Sequence, residues 1–389
     1  MDVRVRFEEF YQESLFVMIP YGRHSINDED IAAVIAALKS DWLTTGPLVE
    51  AFELGLEKIA GAPCISVSSG TAALHCAYAA IDLRPGDEII TPPITFVATQ
   101  ATAVLFGATI VFADVLPETA NIDPRAVEAA ITSRTKAVVA VDYAGHPADL
   151  DQLRDIANRY GIYLIEDASH SIGSSYKGRA VGSIADMTTF SFFPTKNLTT
   201  GEGGAVASIH PELLRKAQKF SRQGLVRNPK EFKILGQGPW HQEVHEFGLN
   251  YRLPDILCAL GLSQLARIQN FKARKRQVFE RYTQGLSNFD GIRLPFEGSD
   301  VNVNWHLFPA RFDPLIRETI FSGLRKAGIV VQVNYMPAYW HPAFQDRGFR
   351  KGMFPNSDLF YSQEISLPMY PDLRDDEIDF VVRTIKTLI

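Results

Sequence analysis

The 389-residue sequence predicts an α/β fold with a mostly parallel sheet and helices on both faces. Short β-branched runs alternate with amphipathic helical windows over the first two-thirds of the chain. Small or glycine-rich segments follow several predicted strands, and parallel sheets bind their ligands at these carboxyl ends. Beyond about residue 288, strands and helices mix, which indicates a smaller C-terminal domain.

Seven strands and five connecting helices are predicted in the first part of the chain. The strand segments are rich in apolar and β-branched residues and lie at 64–68, 88–91, 109–113, 137–142, 162–166, 187–192 and 204–208. The helical windows lie at 70–81, 95–106, 124–132, 148–159 and 211–222. Because parallel strands need crossover connections, this alternation predicts a seven-stranded, mostly parallel sheet.

The remaining segments complete the predicted organisation. Residues 27–60 are predicted to be helical, with a break at Leu43-Thr-Thr-Gly46-Pro47. Residues 223–247 are rich in glycine, proline and charge, which indicates a loop that could act as a lid. A long helix is predicted from about Pro254 to beyond Arg281, followed by elements at 305–311, 317–327, 329–334 and 375–388. We therefore expect an N-terminal extension (1–18), a large domain (19–270) and a small domain (271–389).

Composition excludes several classes of protein. Hydrophobic residues make up 46% and charged residues 22%, as in globular proteins, and no segment is apolar enough to cross a bilayer. The net charge of −6 argues against nucleic acid as the main ligand. The N-terminus lacks the apolar core of a signal peptide, and the three cysteines have unrelated spacings. We expect a cytoplasmic protein without disulfides or a zinc site.

Lys196 and Asp167 form the pair of residues that points most directly to chemistry. Lys196 follows the strand predicted at 187–192, and Asp167 ends another strand about thirty residues earlier. This pair suits pyridoxal phosphate (PLP): the lysine amine forms a Schiff base, and the carboxylate keeps the pyridinium nitrogen protonated so that the ring accepts electrons. Taken alone, a lysine such as Lys196 is usually a solvated surface charge, and the segment after Asp167 could be a helix cap.

Gly70, Thr71 and Ser191 are candidates for binding a phosphate. The first strand ends in Ser68-Ser69-Gly70-Thr71 and leads into a helix, whose N-terminal N–H groups attract anions. Ser191 lies five residues before Lys196 and offers a hydroxyl. An ordinary helix cap is the alternative for the first segment.

Phe96 and His170 are candidates for contacts with the ring of the cofactor. Phe96 follows a strand end, where an aromatic side chain can stack on a pyridine, although a core position is equally consistent with the sequence. His170 lies three residues after Asp167 and could bond the 3′-oxygen of the cofactor, or have only a structural role. His241 and His245 lie in the predicted loop without expected acidic or cysteine partners, so no metal site is predicted there.

In order along the chain, these motifs resemble those of the nucleotide-sugar aminotransferases. The resemblance rests on Ser-Ser-Gly-Thr-Ala, Pro-Ile-Thr-Phe-Val-Ala-Thr, Ile-Glu-Asp-Ala-Ser-His-Ser-Ile-Gly, Phe-Ser-Phe…Lys…Thr-Thr-Gly-Glu-Gly-Gly and Gly-Leu-Asn250-Tyr-Arg252-Leu. It implies a PLP enzyme of the aspartate aminotransferase fold (fold type I). Val141-Asp-Tyr-Ala-Gly and the segment 331–339 are most similar to the pseudaminic-acid-pathway members. Those members aminate C4 of a UDP-linked 4-keto-6-deoxy-N-acetylhexosamine with L-glutamate as donor.

The resemblance also implies roles for individual residues. Lys196 would carry the cofactor and move the proton during transfer, with Asp167 at the ring nitrogen. The other implied cofactor contacts are Gly70, Thr71 and Ser191 at the phosphate, Phe96 against the ring and His170 near its oxygen. Asn250 would reach the cofactor phosphate of a neighbouring subunit, which implies a homodimer with shared sites.

Substrate contacts are implied with less detail. Arg252 would meet the donor carboxylate or the substrate diphosphate. Thr44, Thr45, Tyr335 and Tyr339 are further candidates, with surface exposure or core packing as the alternative for each. Other keto-sugar nucleotides, dTDP- or GDP-linked and aminated at C3 or C4, are alternative substrates that the sequence does not exclude. A sugar dehydratase of the same fold would carry histidine in place of Lys196, and the intact set of site residues disfavours a catalytically silent homologue.

Overall fold

The computed structural model describes residues 18–389, so the predicted N-terminal extension lies outside the described residues except for Met18. The described chain forms thirteen α-helices: α1 Asp28–Leu38, α2 Pro47–Ala60, α3 Gly70–Ala80, α4 Ala98–Leu105, α5 Pro124–Ala130, α6 Leu150–Tyr160, α7 Pro211–Ser221, α8 Asp255–Ala266, α9 Ile268–Leu286, α10 Pro314–Lys326, α11 Pro342–Gln345, α12 Pro355–Gln363 and α13 Asp375–Leu388.

The strands fall into one large sheet and three small ones. They are β1 Cys64–Val67, β2 Glu88–Thr91, β3 Thr109–Phe112, β4 Thr135–Val141, β5 Tyr163–Asp167, β6 Ser175–Tyr176, β7 Arg179–Ala180, β8 Met187–Ser191, β9 Gly204–Ala207, β10 Leu225–Val226, β11 Glu243–Val244, β12 Ile292–Arg293, β13 Val301–Asn302, β14 Phe308–Phe312 and β15 Glu364–Leu367.

The large sheet confirms the predicted fold class. Its seven strands lie in the order β1-β9-β8-β5-β4-β2-β3. Only β9 runs against the others, because it pairs antiparallel with both β1 and β8 while the remaining pairs are parallel. Asp167 pairs with Val141 on one side and Thr189 on the other, so it lies at the carboxyl end of a central strand.

Both faces of the sheet are buried, which explains why most of its strands are rich in apolar residues and do not alternate strictly between apolar and polar ones. Successive side chains of a strand point to opposite faces. Val139 and Ile165 accordingly belong to one apolar cluster, and Val138 and Leu164 to another. Helices cover the two faces, and α3 packs against β8, β9 and α7. The sheet therefore presents its strand ends as the accessible edge.

The C-terminal part of the chain builds a separate apolar cluster. It surrounds the antiparallel sheet β12-β14-β15 and includes Trp305, Phe308, Ile365 and Ile385. Residues from the first part of the chain, Ile19 among them, also enter this cluster. The predicted domain boundary at residues 270 and 271 falls inside α9, near its beginning.

Three elements differ from the expectation. The long helix beyond Pro254 is divided into α8 and α9, because Arg267 (φ −106°, ψ 0°) leaves the helical conformation. Residues 329–334, where a regular element was expected, form isolated bridges such as Ile19 with Ile329. The predicted loop 223–247 contains the short pair β10–β11. Within residues 18–389, none of the helices combines the length and hydrophobicity that crossing a membrane requires.

Candidate active site

A cavity of about 390 Å³ opens at the carboxyl ends of the central strands. Its volume lies in the range of small-molecule sites. The structure brings eight of the residues predicted from sequence to its lining: Gly70, Thr71, Phe96, Asp167, His170, Ser191, Lys196 and Tyr335. These residues come from five segments of the chain, so the fold itself assembles the cavity.

Asp167, the last residue of β5, is buried and held by hydrogen bonds at both carboxylate oxygens. The Thr99 hydroxyl donates to Oδ2 at 2.8 Å, and the Ser169 hydroxyl and backbone N–H donate to Oδ1 at 2.6 and 3.2 Å. These bonds orient the carboxylate at the cavity. Sequence reasoning missed Thr99 and Ser169. Ser169 could have been found, since a serine two residues after an aspartate often bonds its side chain.

Lys196 lies in the loop after β8 and lines the same cavity. Burial lowers the pKa of its amine to about 8, while the negative charge of Asp167 opposes this shift. A lysine with its ordinary pKa is almost entirely protonated at neutral pH. The site therefore makes the neutral, nucleophilic amine accessible near physiological pH.

The N-terminus of α3 and Ser191 form a close-packed cradle. The Ser69 side chain caps the helix by accepting from the Ala72 N–H at 3.0 Å. A Cβ atom at Gly70 would lie 2.7 Å from Cβ of Ser191, which a real contact does not allow. Only glycine fits here, and the exposed N–H groups and the Ser191 hydroxyl suit a phosphate.

Aromatic and histidine side chains form the opposite part of the lining. Phe96 is 60% exposed, which excludes the core interpretation and leaves its ring available for stacking. The Tyr335 hydroxyl and Nε2 of His170 lie 3.1 Å apart. Burial and the charge of Lys196 lower the pKa of His170 well below its usual range, so the imidazole is neutral.

His306 is a lining residue that the sequence analysis missed. Its ring lies 4.3 Å from that of His170, between centroids, and burial lowers its pKa well below its usual range. The residue precedes β14, where the sequence predicted a strand and no site. No local signal identifies it, because its approach to His170 depends on how the C-terminal part packs against the large sheet.

Four other predicted residues lie away from the cavity. Thr44, Thr45 and Asn250 are exposed. Arg252 and Thr45 line a separate cavity of about 190 Å³, where Nη1 of Arg252 donates to Oε1 of Gln223 at 2.9 Å. Within one subunit, these residues therefore cannot be assigned to the Lys196 cavity.

Tyr339 requires a correction, since the structure does not bring it to the cavity. Its side chain is fully buried beside Phe112 and Phe354, and its hydroxyl donates to Asp358. Tyr339 thus packs in the core, which was the alternative for this residue.

His241 and His245 also differ from expectation, because an acidic partner lies between them. Each imidazole bonds a different carboxylate oxygen of Glu243. Within residues 18–389, no group of three or more histidine, cysteine, aspartate or glutamate side chains could hold a metal ion. All three cysteines are free and buried, as expected for core thiols.

The residues of the cavity fit PLP. The glycine-and-serine cradle suits its phosphate, Phe96 offers a face for its ring, and Asp167 offers an oriented carboxylate. Lys196 supplies an amine whose pKa is lowered by burial.

Comparisons with known proteins agree with this site. The DegT/DnrJ/EryC1/StrS aminotransferase family profile matches residues 24–386. The spore coat polysaccharide biosynthesis protein SpsC of Bacillus subtilis is 37% identical over 378 residues, which cover 95% of this chain and 97% of SpsC. Two solved structures are each 30% identical and cover 95% of this chain. Spr1654 of Streptococcus pneumoniae, solved in its PLP form, is covered to 98% with a TM-score of 0.88. Helicobacter pylori PseC, an aminotransferase involved in pseudaminic acid biosynthesis, is covered to 99% with a TM-score of 0.89.

Proposed function

Since the chain belongs to the DegT/DnrJ/EryC1/StrS aminotransferase family, we propose that this PLP-dependent sugar aminotransferase acts on a nucleotide-linked sugar. It takes the amino group of L-glutamate and transfers it to C4 of a UDP-linked 4-keto-6-deoxy-N-acetylhexosamine. The observation that carries the proposal is the meeting of Lys196 and Asp167 at one cavity of about 390 Å³. The similarity to PseC over nearly the whole chain supports the choice of sugar.

Lys196 and Asp167 have complementary roles in this proposal. When bound, PLP supplies an electron sink that stabilises negative charge at the carbon being deprotonated. Lys196 anchors the cofactor and, once its amine is free, removes the α-proton of glutamate and later delivers a proton to C4 of the sugar. The Asp167 carboxylate, fixed by Thr99 and Ser169, holds the proton on the ring nitrogen.

The other lining residues bind and orient. Gly70, Thr71 and Ser191 line the cavity and would hold the phosphate, and Phe96 would stack on the ring. The neutral His170 imidazole, which bonds the Tyr335 hydroxyl, would contact the ring oxygen of PLP. Tyr335 and Asn334 also line the cavity and are candidates to contact the sugar.

A panel of keto-sugar nucleotides tests the choice of substrate. We expect the highest kcat/KM with the UDP-linked 4-keto-6-deoxy-N-acetylhexosamine, since groups that hydrogen-bond a substrate discriminate strongly against analogues lacking the partner. The measurement is 2-oxoglutarate released from glutamate with UDP-, dTDP- and GDP-linked 3-keto and 4-keto sugars. A clear preference for a dTDP-linked 3-keto sugar would contradict the proposed substrate.

We further propose that the active unit is a homodimer in which Asn250 of one subunit serves the site of the other. Asn250 is exposed and does not line the Lys196 cavity of its own subunit, although the neighbouring Tyr251 carbonyl accepts from the Ser68 N–H. In a two-fold dimer the same surface patch of each subunit contacts that of the other, so each subunit can complete the other's site. Arg252, two residues away, would accompany Asn250 and meet an anionic group of the substrate.

A mixing experiment tests the shared site. Lys196→Ala and Asn250→Ala are each expected to be inactive, and the two are unfolded and refolded together in equal amounts. About half the dimers are then mixed, and each holds one intact site, which restores about a quarter of the wild-type site count. If mixed dimers are shown to form and no activity returns, Asn250 acts within its own subunit.

The lowered pKa of Lys196 predicts how capture of PLP by the apo protein depends on pH. The neutral amine is the nucleophile, so the rate constant for capture rises as pH increases. The midpoint is expected near the pKa of about 8 and not near the ordinary lysine value of about 10.4. Stopped-flow absorbance at a series of pH values measures this rate, and a midpoint near the ordinary value would show that burial does not activate Lys196.

A further inference from the structure

Lys275, in α9, is a buried lysine that the proposed reaction does not use. Only 3% of its surface is exposed, and its amine donates to Oδ1 of Asn197 at 2.5 Å. Burial and the neighbouring charge of Lys272 lower the pKa of Lys275 well below its usual range. Lysines are seldom fully buried unless they are paired, and the partner here is a neutral amide. Burial of this amine therefore has an energetic cost that a surface lysine avoids.

The partner, Asn197, directly follows Lys196. Its Nδ2 donates to two backbone carbonyls, those of His170 at 2.9 Å and Asn304 at 2.7 Å. Because carbonyls only accept, the amide nitrogen must face them, and the amide oxygen must face the amine of Lys275. The lysine therefore completes the hydrogen bonding of this amide and holds it in one orientation.

The Asn197 amide joins three segments that carry residues of the cavity. They are the loop with Lys196, the segment after β5 with His170, and the segment before β14 with His306. The carbonyl of Asn304 is itself tightly packed, since a Cβ atom at Gly145 would lie 2.5 Å from it. Neither carbonyl therefore lies in open space. Because the Asn197 amide bonds both of them and directly follows Lys196 in the chain, the position of Lys196 relative to His170 depends on this amide.

We propose that Lys275 is a positioning residue that acts through Asn197 to hold Lys196 in the arrangement with Asp167 and His170 that PLP attachment requires. The inference rests on the proposed role of Lys196. A displacement of about 1 Å at a reacting group can slow a reaction by about 10²-fold. A lysine with a merely structural role would instead contribute to folding and leave the reactivity of Lys196 unchanged.

The test compares wild-type apo protein with Lys275→Met, Lys275→Gln and Lys272→Met. Each is mixed with PLP, treated with borohydride at set times and digested, and the labelled Lys196 peptide is measured by mass spectrometry. The thermal unfolding midpoint of each apo protein is measured in parallel. Lys272 is the control, because it lies on the same helix and donates to the Gly173 carbonyl at 2.8 Å, while loss of its charge leaves the Lys275 amine and its bond to Asn197 in place.

Lys275→Met is expected to capture PLP at least about tenfold more slowly, since the Asn197 amide loses its anchor. Its unfolding midpoint should change little, because loss of the desolvation cost of the buried amine offsets the donor that Oδ1 of Asn197 loses. Lys275→Gln keeps an N–H donor and should recover most of the rate, and Lys272→Met should match the wild type.

Capture by Lys275→Met at the wild-type rate overturns the inference. Loss of folding in this variant, or a lowered midpoint without recovery in Lys275→Gln, also overturns it by showing a general structural role. If the wild-type protein is not labelled at Lys196, the proposed role of Lys196 is wrong, and the inference that rests on it is wrong as well. Labelled wild-type protein with an unaffected Lys275→Met variant overturns the inference alone.

Discussion

Replacing Lys196 by alanine is expected to abolish amino transfer, with kcat reduced by more than about 10⁴-fold. The variant loses both the amine that anchors PLP and the group that moves the proton, and general acid–base catalysis alone contributes about 10²–10⁴-fold. Among the residues that line the cavity, Lys196 is the only lysine. The measurement is 2-oxoglutarate released per protein at saturating glutamate, sugar nucleotide and PLP.

Lys326→Ala is the matched control, since Lys326 is exposed in the last turn of α10. It should retain wild-type kcat. Circular dichroism should show that both variants are folded, because replacing Lys196 by alanine removes the desolvation cost of its amine. Near-wild-type turnover by a folded Lys196→Ala variant would show that the reacting amine lies elsewhere.

Asp167→Asn is expected to reduce kcat by about 10²–10³-fold, the size of effect seen when one preorganised electrostatic contact is removed. Asparagine has nearly the same shape: its amide oxygen can accept from Ser169 and its amide nitrogen can donate to the Thr99 hydroxyl, but it carries no negative charge. A ring nitrogen without a carboxylate partner is less readily protonated and accepts electrons less well. The rate is measured at saturating PLP, so that a change in the affinity for PLP does not affect the measured kcat.

Asp151→Asn serves as the control for this substitution. Asp151 pairs with Lys177 and Arg179 at the surface, and loss of such pairs has little effect on a protein. An Asp167→Asn variant that keeps most of its activity would mean that another group protonates the ring.

Much of the large sheet was predictable because burial on both faces leaves a simple pattern in the sequence. Most strands of the sheet are rich in apolar residues, and all seven predicted strands were found within about two residues of their predicted ends. The break at Arg267 and the isolated bridges at 329–334 were not predictable. Both depend on contacts between distant segments, which periodicity does not record.

For the site, too, some residues were predictable from local sequence and others were not. Lys196, Asp167 and Gly70 could be proposed from local chemistry, because each lies at a strand end with a residue type that suits its role. His306 could not, since only tertiary packing places it against His170. Tyr335 and Tyr339 belong to one short segment, yet one lines the cavity and the other is buried in the core. Sequence alone does not distinguish them.

The most direct test of the central claim is the reaction of the PLP-loaded protein with L-glutamate in the absence of any sugar. If Lys196 and Asp167 form a working amino-transfer site, about one equivalent of 2-oxoglutarate per site should appear as the near-visible absorbance of bound PLP declines. Lys196→Ala, loaded with PLP in the same way, should produce neither change. A wild-type protein that binds PLP but shows no loss of absorbance and no 2-oxoglutarate with glutamate would contradict the proposed reaction.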